Sequence, residues 1–161
     1  MTFNAYPDIQ IVRYQKALRE GLIHPEPCEG QPELYVLQDE PEPYVQRLTY
    51  SFIVEKVVKA YVVYTQAQDI KSLPCFRVCY ATAQKYRGQG LATRLLKVSL
   101  EELSKSVRRQ MSEPGLYIET VVTLQNVASQ KVASRALNEL PESIIDRESG
   151  EPLLYYGKYL C

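Results

Sequence analysis

Arg87-Gly88-Gln89-Gly90-Leu91-Ala92 follows a strand-like run, Phe76-Arg77-Val78-Cys79-Tyr80-Ala81, and leads directly into a helical pattern. Two of the chain's seven glycines fall within three residues here. Glycine lets backbone amides approach a bulky anion because no Cβ intervenes. A helix N-terminus adds N–H donors without intrahelical partners and a partial positive charge. Strand, glycine turn and helix in this order make a cradle for a phosphate or pyrophosphate. It is neither of two common cradles. No lysine follows Gly90, as a Walker loop requires, and the dinucleotide fingerprint needs a third glycine and a distant acid in a βαβ unit.

Toward the C-terminus a second run stands out, Ile118-Glu119-Thr120-Val121-Val122-Thr123-Leu124-Gln125-Asn126-Val127-Ala128-Ser129-Gln130-Lys131-Val132. A helix, a short turn and a strand separate it from the glycine loop. The hexad matches Arg/Gln-x-x-Gly-x-Gly/Ala, and from roughly Thr49 onward the chain resembles the GNAT superfamily of N-acetyltransferases. The second run resembles the Ile-Glu-…-Asn-x-x-Ser-x-x-Val pattern of the Rim-type branch, the ribosomal-protein N-terminal acetyltransferases. The resemblance implies an α/β (α+β) fold: a mixed, mostly antiparallel twisted sheet flanked by helices, with splayed central strands. It implies acetyl-CoA as co-substrate, no metal, and transfer of the acetyl group to a primary amine by direct attack in a ternary complex.

The resemblance also implies roles. Backbone groups of Tyr80, Ala81 and Thr82 would pair with the pantetheine arm. Amides of Gly88, Gln89, Gly90, Leu91, Ala92 and Thr93 would hold the pyrophosphate, with Arg87 adding charge or shaping the turn. Asn126 and Ser129 would contact the pantetheine, and Ser129 would donate a proton to the departing thiolate. Glu119 is the candidate base. A carboxylate on an interior strand is costly without a partner, and burial of that kind raises its pKa. Each residue also has a plainer reading: Glu119 as an edge-exposed or ion-paired acid, Asn126 as a helix N-cap, and Arg87 as surface charge. One departure is clear. The tyrosine that many GNAT enzymes place seven residues after the asparagine is Ala133 here, and Leu137-Asn138-Glu139-Leu140-Pro141 replaces the usual Gly-Phe. Ser129, Ser134, Tyr155 and Tyr156 remain as candidate acids, or no acid is needed.

The 161 residues suit one domain, 1–161, divided into an N-terminal helix and acidic, Pro-rich acceptor-side segment (1–46) and an acyl-CoA-binding core (47–161). Lys plus Arg equals Asp plus Glu at 19 each, which argues against nucleic acid as a partner. His24 is the only histidine and no Cys-x-x-Cys pair exists among Cys28, Cys75, Cys79 and Cys161, which argues against zinc and against a His-dependent triad. Cys75 and Cys79 share a strand face but lie too far apart to bridge. The longest apolar run is Ala60 to Tyr64 and no signal pattern opens the chain, so no membrane is expected and the cytoplasm is the expected location. The expected partner is an amine acceptor, a small molecule or a peptide N-terminus; the sequence leaves room for a homodimer.

The remaining pattern gives the elements. Asp8 is placed to cap a helix carrying Ile11, Tyr14, Leu18 and Leu22, with Gly21 near its end. His24 to Pro43 holds six acids (Glu26, Glu29, Glu33, Asp39, Glu40, Glu42) and no Lys or Arg, with one short strand at Leu34 to Leu37. It reads as a solvated segment or as a loop over the acceptor site that attracts a basic amine. Alternation marks strands from Arg47 to Gln66, turning near Glu55-Lys56, and again from Cys75 to Thr82 after Pro74. The helix after the loop buries Ala92, Leu95, Leu96, Ser99, Leu103 and Val107; a strand (Tyr117 to Leu124), a helix (Val127 to about Leu140) and a hairpin (Ser143 to Asp146, Leu153 to Leu160) follow. Two other functions fit the same residues: a catalytically silent acyl-CoA-binding module, and a toxin that acetylates aminoacyl-tRNA. Neutral charge and the acidic stretch weigh against the second.

Overall fold

A computed structural model of the protein describes residues 7–161; the first six residues of the expected N-terminal segment lie outside the described residues. Helix α1 spans Pro7–Arg19, and strands β1 (Glu26–Pro27), β2 (Leu34–Glu42), β3 (Val45–Val54), β4 (Val57–Ile70) and β5 (Leu73–Thr82) follow as antiparallel neighbours. A 3-10 turn (Gln84–Tyr86) then leads to α2 (Leu91–Gln110), β6 (Leu116–Thr123), α3 (Val127–Leu137), β7 (Glu142–Ile145) and β8 (Pro152–Leu160). The eight strands form one sheet in the order β1-β2-β3-β4-β5-β6-β8-β7. Only β5 and β6 run parallel, because α2 carries the chain back across the sheet between them. This is the mixed, mostly antiparallel sheet flanked by helices that the motifs imply.

The period-two alternation assigns the two sheet faces. Leu48, Tyr50, Phe52, Ala60, Val62, Tyr64, Phe76, Val78 and Tyr80 point into the main core beneath α2 and α3. The apolar side of α2 supplies Leu91, Leu95, Leu96, Leu100, Leu103 and Val107 to that core. Ala92, expected among the buried residues, is only partly buried, and Leu91 takes the inner position instead. On the opposite face Ile11 of α1 packs with Tyr61, Val63 and Ala81, and the Tyr14 and Tyr61 rings meet edge-on at 5.9 Å.

Several local expectations change. Asp8 does not precede the first helix as a cap; it lies in its first turn and pairs with Arg87 at 3.1 Å. Gly21 does end α1, with φ +72° and a bond from the Leu22 N–H to the Ala17 carbonyl. Only the first half of the acidic stretch, around Glu29 and Glu33, is a loop. Residues 34–42 form a full strand paired to β3, because Tyr35 and Val36 register with Ser51 and Tyr50 and extend the hydrogen-bonded ladder through Asp39. The expected division at residue 46 therefore falls inside β3. Strand β4 runs past Gln66 to Ile70, and Pro74 lies inside β5, near the hairpin end. Helix α3 stops at Leu137, where Asn138 takes a left-handed conformation as C-cap.

Candidate active site

The glycine loop has the geometry an anion cradle requires. Gly88 and Gly90 both have positive φ, +79° and +71°, a region costly for residues with a Cβ. A Cβ at either would meet nothing within 4 Å, so the glycines are needed for their backbone angles and the space before them is open. Gly90 is the N-cap of α2 and contributes no side-chain cap, and the first turn of that helix carries no acid. The amides of Leu91, Ala92 and Thr93 are thus left at the positive end of a twenty-residue helix. Arg87 is tied to Asp8 and donates from Nε to the Thr82 carbonyl at 3.4 Å, which links the loop to the end of β5. These donors, and the open space before them, fit a pyrophosphate.

A gap opens beside this loop. Strands β5 and β6 pair only at Cys75–Tyr117, Phe76–Ile118 and Arg77–Glu119. Beyond that rung β5 stays paired with β4 as far as Thr82, and β6 stays paired with β8 as far as Thr123. Tyr80, Ala81 and Thr82 therefore lie along the stretch of β5 that has parted from β6. The Tyr80 side chain has a separate job that its sequence position does not reveal. Its hydroxyl donates to the Ser129 carbonyl at 2.7 Å and ties the first turn of α3 to β5. Burial, with Tyr156 nearby, pushes the Tyr80 phenol well above its ordinary pKa, so it remains a neutral donor.

Asn126 is the N-cap of α3: its Oδ1 accepts from the Ser129 N–H at 3.1 Å. Asn126 is exposed and Ser129 half-buried at the mouth of the gap. Ala133 is fully buried on the inner face of α3, and Ser134 reaches the Tyr156 hydroxyl at 3.4 Å.

Glu119 is far from solitary. Arg77 Nε donates to its Oε1 at 2.7 Å, and the Tyr155 hydroxyl donates to its Oε2 at 3.0 Å. The carboxylate is 13% exposed and held at both oxygens, in place of the unpartnered buried acid expected of a base. Burial and the neighbouring carboxylate raise the Tyr155 pKa well above the ordinary phenol range. Neither Arg77 nor Tyr155 was assigned to Glu119 from the sequence; an arginine on an otherwise apolar strand was the available signal.

On the α1 face of the sheet a cavity of about 750 Å³ adjoins this group. Arg47, Val63, Thr65, Arg77, Cys79 and Glu119 line its floor, and Glu42 and Asp69 come from the hairpin ends at its rim. Of the six acids in the proline-rich stretch, only Glu42 lines the cavity. Asp39 is bound by Arg47, whose Nε donates to Oδ1 at 2.8 Å and whose Nη2 donates to Oδ2, and Glu40 accepts from the Tyr44 N–H at 2.7 Å. Most of the stretch's charge is thus turned away from the cavity, and it forms no acidic lid. Among the described residues no cluster of three or more His, Cys, Asp or Glu side chains is placed to hold a metal ion, and no helix is long and apolar enough to cross a membrane.

By sequence, the chain matches no protein-family profile and no curated protein. By structure it resembles a GNAT-family acetyltransferase from Streptococcus pneumoniae, 16% identical with a TM-score of 0.53 over 71% of this chain and 67% of that one. RimL, a ribosomal alpha-N-protein acetyltransferase solved with coenzyme A, is 16% identical with a TM-score of 0.55 over 71% of this chain and 62% of its own. The aminoglycoside acetyltransferase AAC(6')-Ib, solved with coenzyme A and kanamycin, is 15% identical with a TM-score of 0.52 over 70% and 66%. The matched region spans about two thirds of each of those chains. With a parallel pair that parts beside a glycine-capped helix, the fold of this chain is that of the GNAT acetyltransferases.

Proposed function

We propose that the protein is an acyl-CoA-dependent N-acyltransferase that moves an acetyl group from acetyl-CoA to a primary amine. The observation that carries this reading is the parting of β5 from β6 after Arg77–Glu119, next to the N-terminus of α2, whose Gly90 cap offers no side-chain acceptor. RimL and the aminoglycoside enzyme, both solved with coenzyme A, share the architecture. Backbone groups of Tyr80, Ala81 and Thr82 bind the pantetheine arm, and amides from Gly88 to Thr93 bind the pyrophosphate. Bound acetyl-CoA supplies an activated acyl carbon. The acceptor nitrogen attacks it, a C–N bond forms, the C–S bond breaks, and coenzyme A leaves as thiolate or thiol.

The amine must shed a proton in that exchange. Glu119 is the group to receive it, oriented by Arg77 and Tyr155, directly or through a water. Ser129 stands at the start of α3 as the donor to the thiolate. We read the chain as one domain acting in the cytoplasm. The deciding assay is thiol release from acetyl-CoA with a panel of amines. Release that depends on the amine supports transfer. Coenzyme A binding without release from any amine favours the catalytically silent module, a reading to which the doubly held Glu119 and the buried Ala133 lend weight.

A further inference from the structure

Five residues far apart in the sequence form one straight row across the sheet. Asp39 registers with Arg47, Arg47 with Thr65, Thr65 with Arg77, and Arg77 with Glu119. Directly opposed residues share a face and stand about 5 Å apart, so the row crosses β2, β3, β4, β5 and β6 on the α1 side. Its order is acid, base, hydroxyl, base, acid. Asp39 binds Arg47 on the outer side at one end, and Glu119 binds Arg77 on the outer side at the other. The two ion pairs are dipoles laid head to head along the row, with the arginine of each on the Thr65 side. Charges alternate along the row except at its centre, where Thr65 offers only a hydroxyl. The centre of the row lies on the cavity floor, since Arg47, Thr65 and Arg77 all line it.

We propose that this centre binds a carboxylate of the acceptor, so that the substrate is an amine carrying a carboxylate a few bonds away. The inference rests on the acyltransferase reading only in calling the bound molecule an acceptor. A carboxylate over Thr65 completes the alternation and accepts from a hydroxyl and from two guanidinium groups, whose planar donor sets match its geometry. Arg47 gives Nε and Nη2 to Asp39, and its Nη1 has no protein partner among the described residues. Of the two rim acids, only Glu42, paired with Val45 two residues along β3 from Arg47, is close enough to oppose this field. Asp69 lies four residues along β4 from Thr65, about 13 Å, beyond the screening length of about 8–10 Å in physiological salt. Two residues along β5 from Arg77, at Cys79, the same face borders the gap between β5 and β6. That step is about 7 Å, which sets the span between the bound carboxylate and the reacting amine.

The test reads binding without turnover. Calorimetric titration of the full chain uses 4-aminobutyrate, its amide, and putrescine, which share one amine and differ at the far end. A second arm compares a peptide with Asp at its second position to the same peptide with Asn. The expected result is binding of the carboxylate member at least about tenfold tighter in one arm. Thr65→Val and Arg47→Gln should each remove the preference while coenzyme A affinity and the circular dichroism spectrum stay unchanged. Preference in the first arm alone assigns the carboxylate to a small amino acid; in the second alone, to a protein N-terminus. Equal binding, no binding of any probe, tighter putrescine, or a preference that survives both substitutions overturns the proposal. Thiol release is measured separately with the same compounds. Carboxylate binding without release sinks the acyltransferase reading and leaves this site standing, whereas release without carboxylate preference does the reverse.

Discussion

Arg77 donates from Nε to Glu119 Oε1 at 2.7 Å on the last paired rung between β5 and β6. The contact joins the two strands at the point where they part. It marks the apex of the gap and fixes Glu119, a carboxylate in the cavity lining. Arg77 is 25% and Glu119 13% exposed, so the pair is sheltered enough for the loss of either partner to matter.

Glu119→Gln keeps the size and most of the hydrogen bonding but removes the charge. If Glu119 receives the amine proton, turnover should fall by about 10²-fold or more with coenzyme A affinity nearly unchanged. The same change leaves Arg77 without its anion and should lower stability by about 1–3 kcal/mol. Steady-state kinetics beside a denaturant titration separates the effects. A stability loss with unchanged turnover makes the pair a strand clamp only.

Tyr155→Phe deletes the hydroxyl that donates to Glu119 Oε2 and nothing else. The fold and coenzyme A binding should survive, and kcat should fall by about tenfold as the carboxylate loses one of its two fixed donors. A kcat equal to that of the unaltered protein would show that Arg77 alone orients the acid.

Gly90→Ala introduces a Cβ into open space at φ +71°, so its cost is backbone strain of about 1–2 kcal/mol, without a steric clash. Gly90→Asp adds a carboxylate where the pyrophosphate would sit. It should weaken coenzyme A by at least about tenfold, or 1.4 kcal/mol. Calorimetry on the folded variants is the check; equal affinity for Gly90→Asp removes the loop from the binding site.

Asn126→Ala removes the cap of α3 and should cost about 1 kcal/mol. For a chain of this size that is a melting shift of roughly 2–4 °C. A rise in the KM for acetyl-CoA beyond that shift identifies a contact to the pantetheine arm as well. An unchanged melting temperature would mean the Ser129 N–H finds another acceptor at no cost.

Burial pushes the Cys28 thiol up to about 11, with Glu102 adding to the effect, and pushes Cys75 up to about 12. The unfolded chain would ionise both at about pH 8.5. Between that pH and the folded values the unfolded state binds fewer protons, so stability should fall as pH rises, having been complete below about pH 8.5. Denaturant midpoints at pH 7.5 and 10 test the sign, and a midpoint that climbs at pH 10 contradicts it.

Much of the fold was legible in the sequence because its signals are local. Gly88 and Gly90 announce positive φ before a helix whose 3.6-residue period is plain from Leu95 to Val107. The Glu55–Lys56 turn stands between two alternating runs, and both residues adopt positive φ as a tight hairpin demands. Asn126 reads as a cap because only its own first turn is involved. Strand β2 was half hidden, since Pro41 and a run of acids mask a segment whose strand character comes from pairing with β3. The row Asp39–Arg47–Thr65–Arg77–Glu119 was invisible. Its members lie 8, 18, 12 and 42 residues apart in the chain, and no local pattern relates them. Register across five strands decides which side chains meet, and a slip of one residue in any pairing would turn part of the row to the other face. The sequence by itself determined the cradle, the helices and the order of elements, because each depends on neighbours along the chain. Only the tertiary structure decided that Glu119 is held by Arg77 and Tyr155, and that Arg47 and Arg77 flank Thr65 in one row, because those relationships exist only once distant strands have been brought into register.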